Sequence, residues 1–176
     1  MKKFLKLFSV LVIVLLAVTL LTGCGKKEKK EDLTFDGEEG KITFQVKEGS
    51  GYKISTNKDD LRSTREQGVL IGNGFKIGIE FSDDYNYFFE SNLDKLKEAR
   101  KDYDDYKEVK YGGVDGVQYF YGGYNRYEVM LPVANNEKYY LDLTIYGSED
   151  TEESAKAAIA NQEVLDILNS IKFEAK

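Results

Sequence analysis

The 176-residue chain has no histidine, no tryptophan, one cysteine and one proline. Without histidine there is no Ser-His-Asp or Cys-His device and no His-based zinc site. The commonest general base near neutral pH is missing too. The lone cysteine, Cys24, permits no intrachain disulfide, so the fold has to rest on its core. With no tryptophan, aromatic area comes from 13 tyrosines and 10 phenylalanines. Tyrosine brings large apolar area with a hydroxyl that can still meet water. Positive charge is also short, with 25 Lys and Arg against 31 Asp and Glu. That balance opposes nonspecific binding to nucleic acid, and no basic stripe offsets it, which argues against a DNA- or RNA-binding role.

Charge is absent altogether from Leu7 to Gly25, behind a start, Met1-Lys2-Lys3-Phe4-Leu5-Lys6, that carries only lysines. A basic tip, an apolar run and small residues at its exit form the pattern of a secretory signal. The lysines stay on the cytoplasmic side while the run enters the bilayer. Leu21-Thr22-Gly23-Cys24 closes the run and a highly charged stretch follows at once. These four residues resemble the lipobox of bacterial lipoproteins: an aliphatic residue three before the cysteine, a small or hydroxylated one, then Gly or Ala. The resemblance implies that the Cys24 thiol receives a diacylglycerol and that cleavage makes Cys24 the new N-terminus. A further acyl chain on its amine is part of the same pattern. The implied location is the cell membrane, lipid-anchored, on the extracytoplasmic face. Burial contributes about 0.8 kcal/mol per CH2, so one chain holds marginally and two or three hold durably. The competing reading is an uncleaved transmembrane anchor, for which the run is long enough.

Removing residues 1–23 leaves 153 residues, enough for one domain with its own core. The leader holds three of the 25 basic residues and none of the 31 acidic ones, so the remainder sets 22 against 31, a net charge of −9. The lipidated Cys24 and a charged linker are expected over 24–40, with a single α+β domain over 41–176. Gly25–Gly40 is too polar to order itself. As a flexible coil its 16 residues span about 20–24 Å. Its four lysines either attract anionic headgroups or simply solubilise a tether, and the tether is preferred.

From Lys41 the texture alternates. Ile42, Phe44 and Val46 read as one face of a strand, Tyr52 and Ile54 as a short one, and Val69-Leu70-Ile71 as a third. Gly72-Asn73-Gly74 is a hairpin signal before Phe75, Ile77, Ile79 and Phe81. A helix is expected from Asp83-Asp84, with Phe89, Leu93, Leu96 and Tyr103 at near-helical spacing. Strands return at 107–111, 116–121, 124–133 and 139–145, and Pro132 marks an edge or an end. A second helix starts near an Asp150 cap and buries Ala155, Ala158, Ile159, Leu165 and Leu168, with Asn161 interrupting or re-capping it. A short strand is expected over 170–174.

Val117, Tyr119 and Tyr121 are expected to share a face with Tyr127, Val129 and Leu131, with Phe120, Met130, Tyr140 and Tyr146 opposite. Both faces are apolar, and one helix per face covers them. The fold class is therefore α+β: a predominantly antiparallel β-sheet flanked by helices. The order of elements and the ending Leu168-Asn169-Ser170-Ile171-Lys172-Phe173 resemble the Mog1/PsbP-type α/β/α sandwich. That resemblance implies a non-catalytic binding or assembly module and carries no functional residue across.

Candidate chemistry is sparse. Ser55-Thr56-Asn57-Lys58 matches Ser-x-x-Lys, but the companion motifs of penicillin-binding enzymes are missing and the residues follow a strand. Gly72-Asn73-Gly74 with Gly78 lacks phosphate-loop spacing. Asp59-Asp60, Asp83-Asp84, Asp102-Asp104-Asp105 and Glu152-Glu153 do not follow the EF-hand pattern and read as solvated loops or helix starts. No metal, cofactor or catalytic group is assigned. Tyr119-Phe120-Tyr121-Gly122-Gly123-Tyr124-Asn125-Arg126-Tyr127 reads either as period-two core around a hairpin or as a recognition surface. Its candidates are Tyr121, Tyr124 and Arg126.

The first expectation is a lipid-anchored, non-enzymatic binding or accessory domain that engages another envelope protein. The alternatives are a small hydrolase using carboxylates and a small-molecule-binding lipoprotein.

Overall fold

The computed structural model describes residues 28–83, 93–133 and 139–176. Cys24, the expected leader, the expected helix start at Asp84 with Phe89, and residues 134–138 lie outside the described residues. In chain order the elements are β1 (Lys30–Asp36), β2 (Gly40–Lys47), β3 (Lys53–Ser55), β4 (Gly68–Ile71), β5 (Phe75–Asp83), α1 (Leu93–Arg100), β6 (Asp104–Tyr111), β7 (Val114–Tyr121), β8 (Arg126–Pro132), β9 (Tyr139–Gly147), α2 (Glu152–Ile159), α3 (Gln162–Asn169) and β10 (Lys172–Ala175).

A seven-stranded sheet runs β3-β4-β5-β9-β8-β7-β6 and a three-stranded sheet runs β1-β2-β10. Every pairing among the described residues is antiparallel. Period-two alternation sorts the large sheet into two faces. One carries Ile77, Ile79, Phe81, Tyr127, Val129, Leu131, Leu141, Leu143 and Ile145, packed with the small sheet and with α2 and α3. The other carries Val117, Tyr119, Met130 and Tyr140 under Leu96 of α1. The protein is thus an α+β fold with a mostly antiparallel sheet and helices on both faces.

Helix ends follow local chemistry. Thr151, rather than the expected Asp150, caps α2 by accepting from the Ser154 N–H at 3.2 Å. Asn161 ends the first helix and caps the second, accepting from Glu163 N–H at 2.9 Å. In α3 the buried side chains are Val164, Ile167 and Leu168, with Leu165 only half-buried. Tyr103 lies beyond α1, in a turn where its N–H donates to the Arg100 carbonyl at 3.0 Å.

Two expectations are corrected. The first is the linker. Residues 30–36 form β1, paired with β2 so that Phe35 stands opposite Ile42 and Leu33 opposite Phe44. Among charges, Leu33 and Phe35 are alternate apolar positions facing the core. Phe35 is 5% exposed, and its ring lies 6.1 Å from that of Phe81. A Cβ on Gly68 would sit 2.7 Å from the Phe35 ring, so that glycine makes room for it. A strand of mostly charged residues is ordered here because one aromatic is buried and the ladder satisfies its backbone.

The second correction is the face assignment. β7 and β8 pair with Tyr121 opposite Arg126, Tyr119 opposite Glu128, and Phe120 opposite Tyr127. Phe120, not Tyr119 or Tyr121, therefore shares the face of Tyr127, Val129 and Leu131. The connection is Gly122–Asn125, a 3-10 turn ended by Asn125 in the left-handed region at φ 46°. A hairpin loop one residue different in length puts every side chain of one strand on the other face. Pro132 ends β8, which lies inside the sheet rather than at its edge.

Truncating Phe35 distinguishes a strand from a tether. Phe35→Ala is expected to lower unfolding free energy by about 3 kcal/mol, the scale of a buried phenylalanine. Chemical denaturation measures this, and a loss below about 0.5 kcal/mol, the range of ordinary surface changes, would return the segment to a linker.

Candidate functional site

The register of β7 and β8 brings the three candidate recognition residues together. Tyr121 and Tyr124 stack with centroids 5.2 Å apart and planes at 28°. The Arg126 guanidinium lies 5.5 Å from the Tyr121 ring and 4.9 Å from the Tyr124 ring. Each cation–π contact is worth about 0.5–1 kcal/mol at an exposed site. Tyr124 is 59% exposed, the one large hydrophobic among the described residues that stands out in solvent. Its loop is fixed from behind, because Asn125 Nδ2 donates to the Asp150 carbonyl at 3.2 Å. Within the aromatic stretch, Tyr119 and Tyr127 are core, whereas Tyr124 is exposed.

The aromatic row continues inward. Tyr103 lies 4.7 Å from Tyr119 and 5.8 Å from Tyr121, and the Arg100 guanidinium lies over Tyr103 and Tyr119 at 5.3 and 5.4 Å. Arg126 joins this row to a buried charge, donating to Glu128 Oε1 from Nη2 at 2.6 Å and from Nε at 3.0 Å. Tyr119 donates to the other oxygen, Glu128 Oε2, at 2.5 Å. Burial pulls the Arg126 guanidinium down, but Glu128, with Tyr146 and Asp142, raises it overall, so its charge is secure. Burial and the neighbouring Glu128 and Asp142 carboxyls keep the Tyr119 phenol protonated by raising it far above its usual range.

Beneath this lies a row of acids that sequence reasoning missed. Glu80 of β5 stands opposite Asp142 of β9, and Glu128 of β8 is one diagonal step away on the same face. The loop before β4 closes over them. Arg65 pairs with Glu80 at 2.9 Å, Tyr146 donates to Glu66 Oε1 at 2.6 Å, and the Arg62 guanidinium lies 5.1 Å from the Tyr146 ring. A Cβ on Gly78 would fall 2.3 Å from Glu66 Oε1, so the close approach of that acid to the sheet requires glycine. The available signal was an acid among the apolar residues of each of three strands, at Glu80, Glu128 and Asp142. Only their pairing shows that the three adjoin.

Asp142 is 7% exposed, and its Oδ1 makes no hydrogen bond. Burial, then the charges of Glu128 and Glu80, push its carboxyl well above the usual range, against Arg126 and Arg65. Glu80 is raised by burial and held back by Arg65. Two of the remaining sequence candidates make structural hydrogen bonds. Ser55 donates to Asp60 at 2.6 Å in the turn after β3, and Asp105 accepts from the Tyr127 hydroxyl at 2.5 Å. Among the described residues no group of three or more His, Cys, Asp or Glu side chains is placed to hold a metal ion. Among them, too, no helix is long and apolar enough to cross a membrane.

No protein-family model matches the chain, and no curated protein and no solved structure matches it. The functional reading therefore rests on this chain's own geometry.

The raised Asp142 carboxyl fixes the sign of a pH effect. Its proton is bound more tightly in the folded state than in the unfolded chain. The associated stability is fully present below the ordinary value of 3.8 and is lost as pH rises toward the folded one. Asp142→Asn, which cannot titrate, should shrink the fall in stability between pH 4 and pH 8. Urea titrations at the two pH values measure it, and parallel curves for variant and wild type would remove the proton from Asp142.

Proposed function

We propose that the protein is a non-enzymatic, extracytoplasmic binding or accessory domain, held to the cell membrane through lipid on Cys24. It engages another protein of the envelope through Tyr121, Tyr124 and Arg126. The observation that carries the binding surface is the exposed Tyr124, stacked on Tyr121 and covered by a guanidinium that Glu128 holds in place. Tyrosine and arginine are the residues in which interface energy concentrates. A pre-stacked, pre-paired cluster loses little side-chain freedom on docking.

Anchoring agrees with the revised start of the domain. Among the described residues regular structure begins at Lys30, six residues after Cys24. Fully extended, six residues reach at most about 20–22 Å, so the domain stays within its own dimensions of the bilayer. A partner is then met in the plane of the membrane or just above it.

The carboxylate hydrolase reading has one observation in its favour, a raised Asp142 beside Glu128. Against it, Arg126 and Tyr119 occupy both oxygens of Glu128, and Arg65 occupies Glu80. Those partners hold the row as scaffold under the aromatic surface.

Two measurements test the proposal. Radioactive palmitate should label the wild type in its native host and not Cys24→Ala, and label that survives in the variant would exclude the anchor. A photo-crosslinking amino acid at position 124 should give a discrete adduct in native membranes, whereas one at exposed Lys58 should not. Arg126→Ala should reduce the adduct roughly tenfold or more, the scale of losing an interface anchor. Equal adducts from both positions, or none from 124, would remove the docking surface.

A further inference from the structure

A second site lies on the other face of the large sheet, away from the aromatic row. The end of β8, the starts of β7 and β9, and β10 of the small sheet border an open pocket of about 270 Å³. Its apolar walls are Val114, Leu131, Val133, Leu141, Ile171 and Phe173. Protein interiors are packed to crystal density and rarely leave space of this size.

Backbone contacts keep the walls apart. A Cβ on Gly112 would lie 2.2 Å from the Ile171 carbonyl oxygen, so the β6–β7 turn rests directly on the chain entering β10. The Phe173 ring is held from behind by Phe81 at 5.5 Å and occupies the space that a Cβ on Gly40 would take. Neither side can collapse inward without losing those contacts. Apolar walls give water no hydrogen bonds, so an entering hydrocarbon displaces nothing tightly held.

One charged residue lines the cavity, Lys172, the first residue of β10. It is exposed and makes no ion pair among the described residues, while Lys176, just beyond the strand, is engaged by Asp36. The site thus combines a hydrocarbon-sized space with a single uncommitted cation. A cavity of ~150 Å³ takes benzene, so this one has room for about ten carbons.

We propose that the cavity binds a medium-chain carboxylic acid, its chain among Leu131, Leu141, Ile171 and Phe173 and its carboxylate on Lys172. The inference is independent of the Tyr124 surface and of the anchor, since it uses neither.

The test is photolabelling of the purified full chain with decanoic acid bearing a diazirine at its chain end, followed by peptide mapping. Adducts should fall on the peptides that hold Val114, Leu131 and Phe173 and should be competed by unlabelled decanoate. Lys172→Glu, an exposed change that leaves the core intact, should lower labelling by the acid roughly tenfold or more, the loss of one charge-assisted contact. The matching neutral alcohol should label the wild type weakly and be unaffected by that change. Val114→Phe should fill the space and suppress both probes, with the circular dichroism of the wild type. Adducts scattered over the surface, no adducts, an alcohol that labels as well as the acid, or a Lys172→Glu protein labelled like wild type would each overturn the proposal.

Discussion

The register of the β7–β8 hairpin is the constraint on which the rest of the molecule depends. Four residues, closed by a left-handed Asn125, set Tyr121 opposite Arg126 and Tyr119 opposite Glu128. From that pairing follow the guanidinium over two tyrosine rings, the phenol on one oxygen of Glu128, and the two guanidinium nitrogens on the other. Shifted by one residue, Tyr119 and Tyr121 would enter the main core, Phe120 would leave it, and Glu128 would face a different partner. The bond from Asn125 to the Asp150 carbonyl ties the turn to the chain entering α2. Local backbone conformation and tertiary packing therefore enforce the same register.

Burying acids on the second face is costly, and the structure offsets the cost in three ways. Glu128 and Glu80 receive arginines, Glu66 receives the Tyr146 hydroxyl, and burial pushes the Asp142 carboxyl toward its protonated form. Replacing such networks by apolar side chains often stabilises a protein, so stability alone does not explain them. Here the network has a geometric product. It fixes Arg126, and Arg126 in turn fixes the exposed Tyr124. The main core does the opposite work on the opposite face, where apolar contact joins the two sheets and leaves the Lys172 cavity between them. The polar network and the apolar pocket thus lie on opposite faces of one sheet.

Much of this was legible in the chain. Alternation located most strands, the Gly-Asn-Gly turn located a hairpin, and Asn161 marked the break between two helices, because each signal depends on neighbours within a few residues. The grouping of Tyr121, Tyr124 and Arg126 was legible for the same reason. The strand at 30–36 was not. Its composition is that of a solvated tether, and its order comes from Phe35 meeting Phe81 and from Lys176 pairing with Asp36, partners far along the sequence. The row of Glu80, Glu128 and Asp142 was equally hidden, since each acid looks like an ordinary outward position until β5, β9 and β8 are placed side by side.

By itself the sequence determined most of the elements, the antiparallel α+β class, and the candidate residues of one loop, because periodicity and turn chemistry are local properties. Its leader and Cys24 supply the expectation of a membrane address. Tertiary structure alone decided which face each strand presents, which acids share a buried row, and where an apolar space remains open. Those follow from register and from contacts between distant strands, and a single residue of loop length is enough to reverse them.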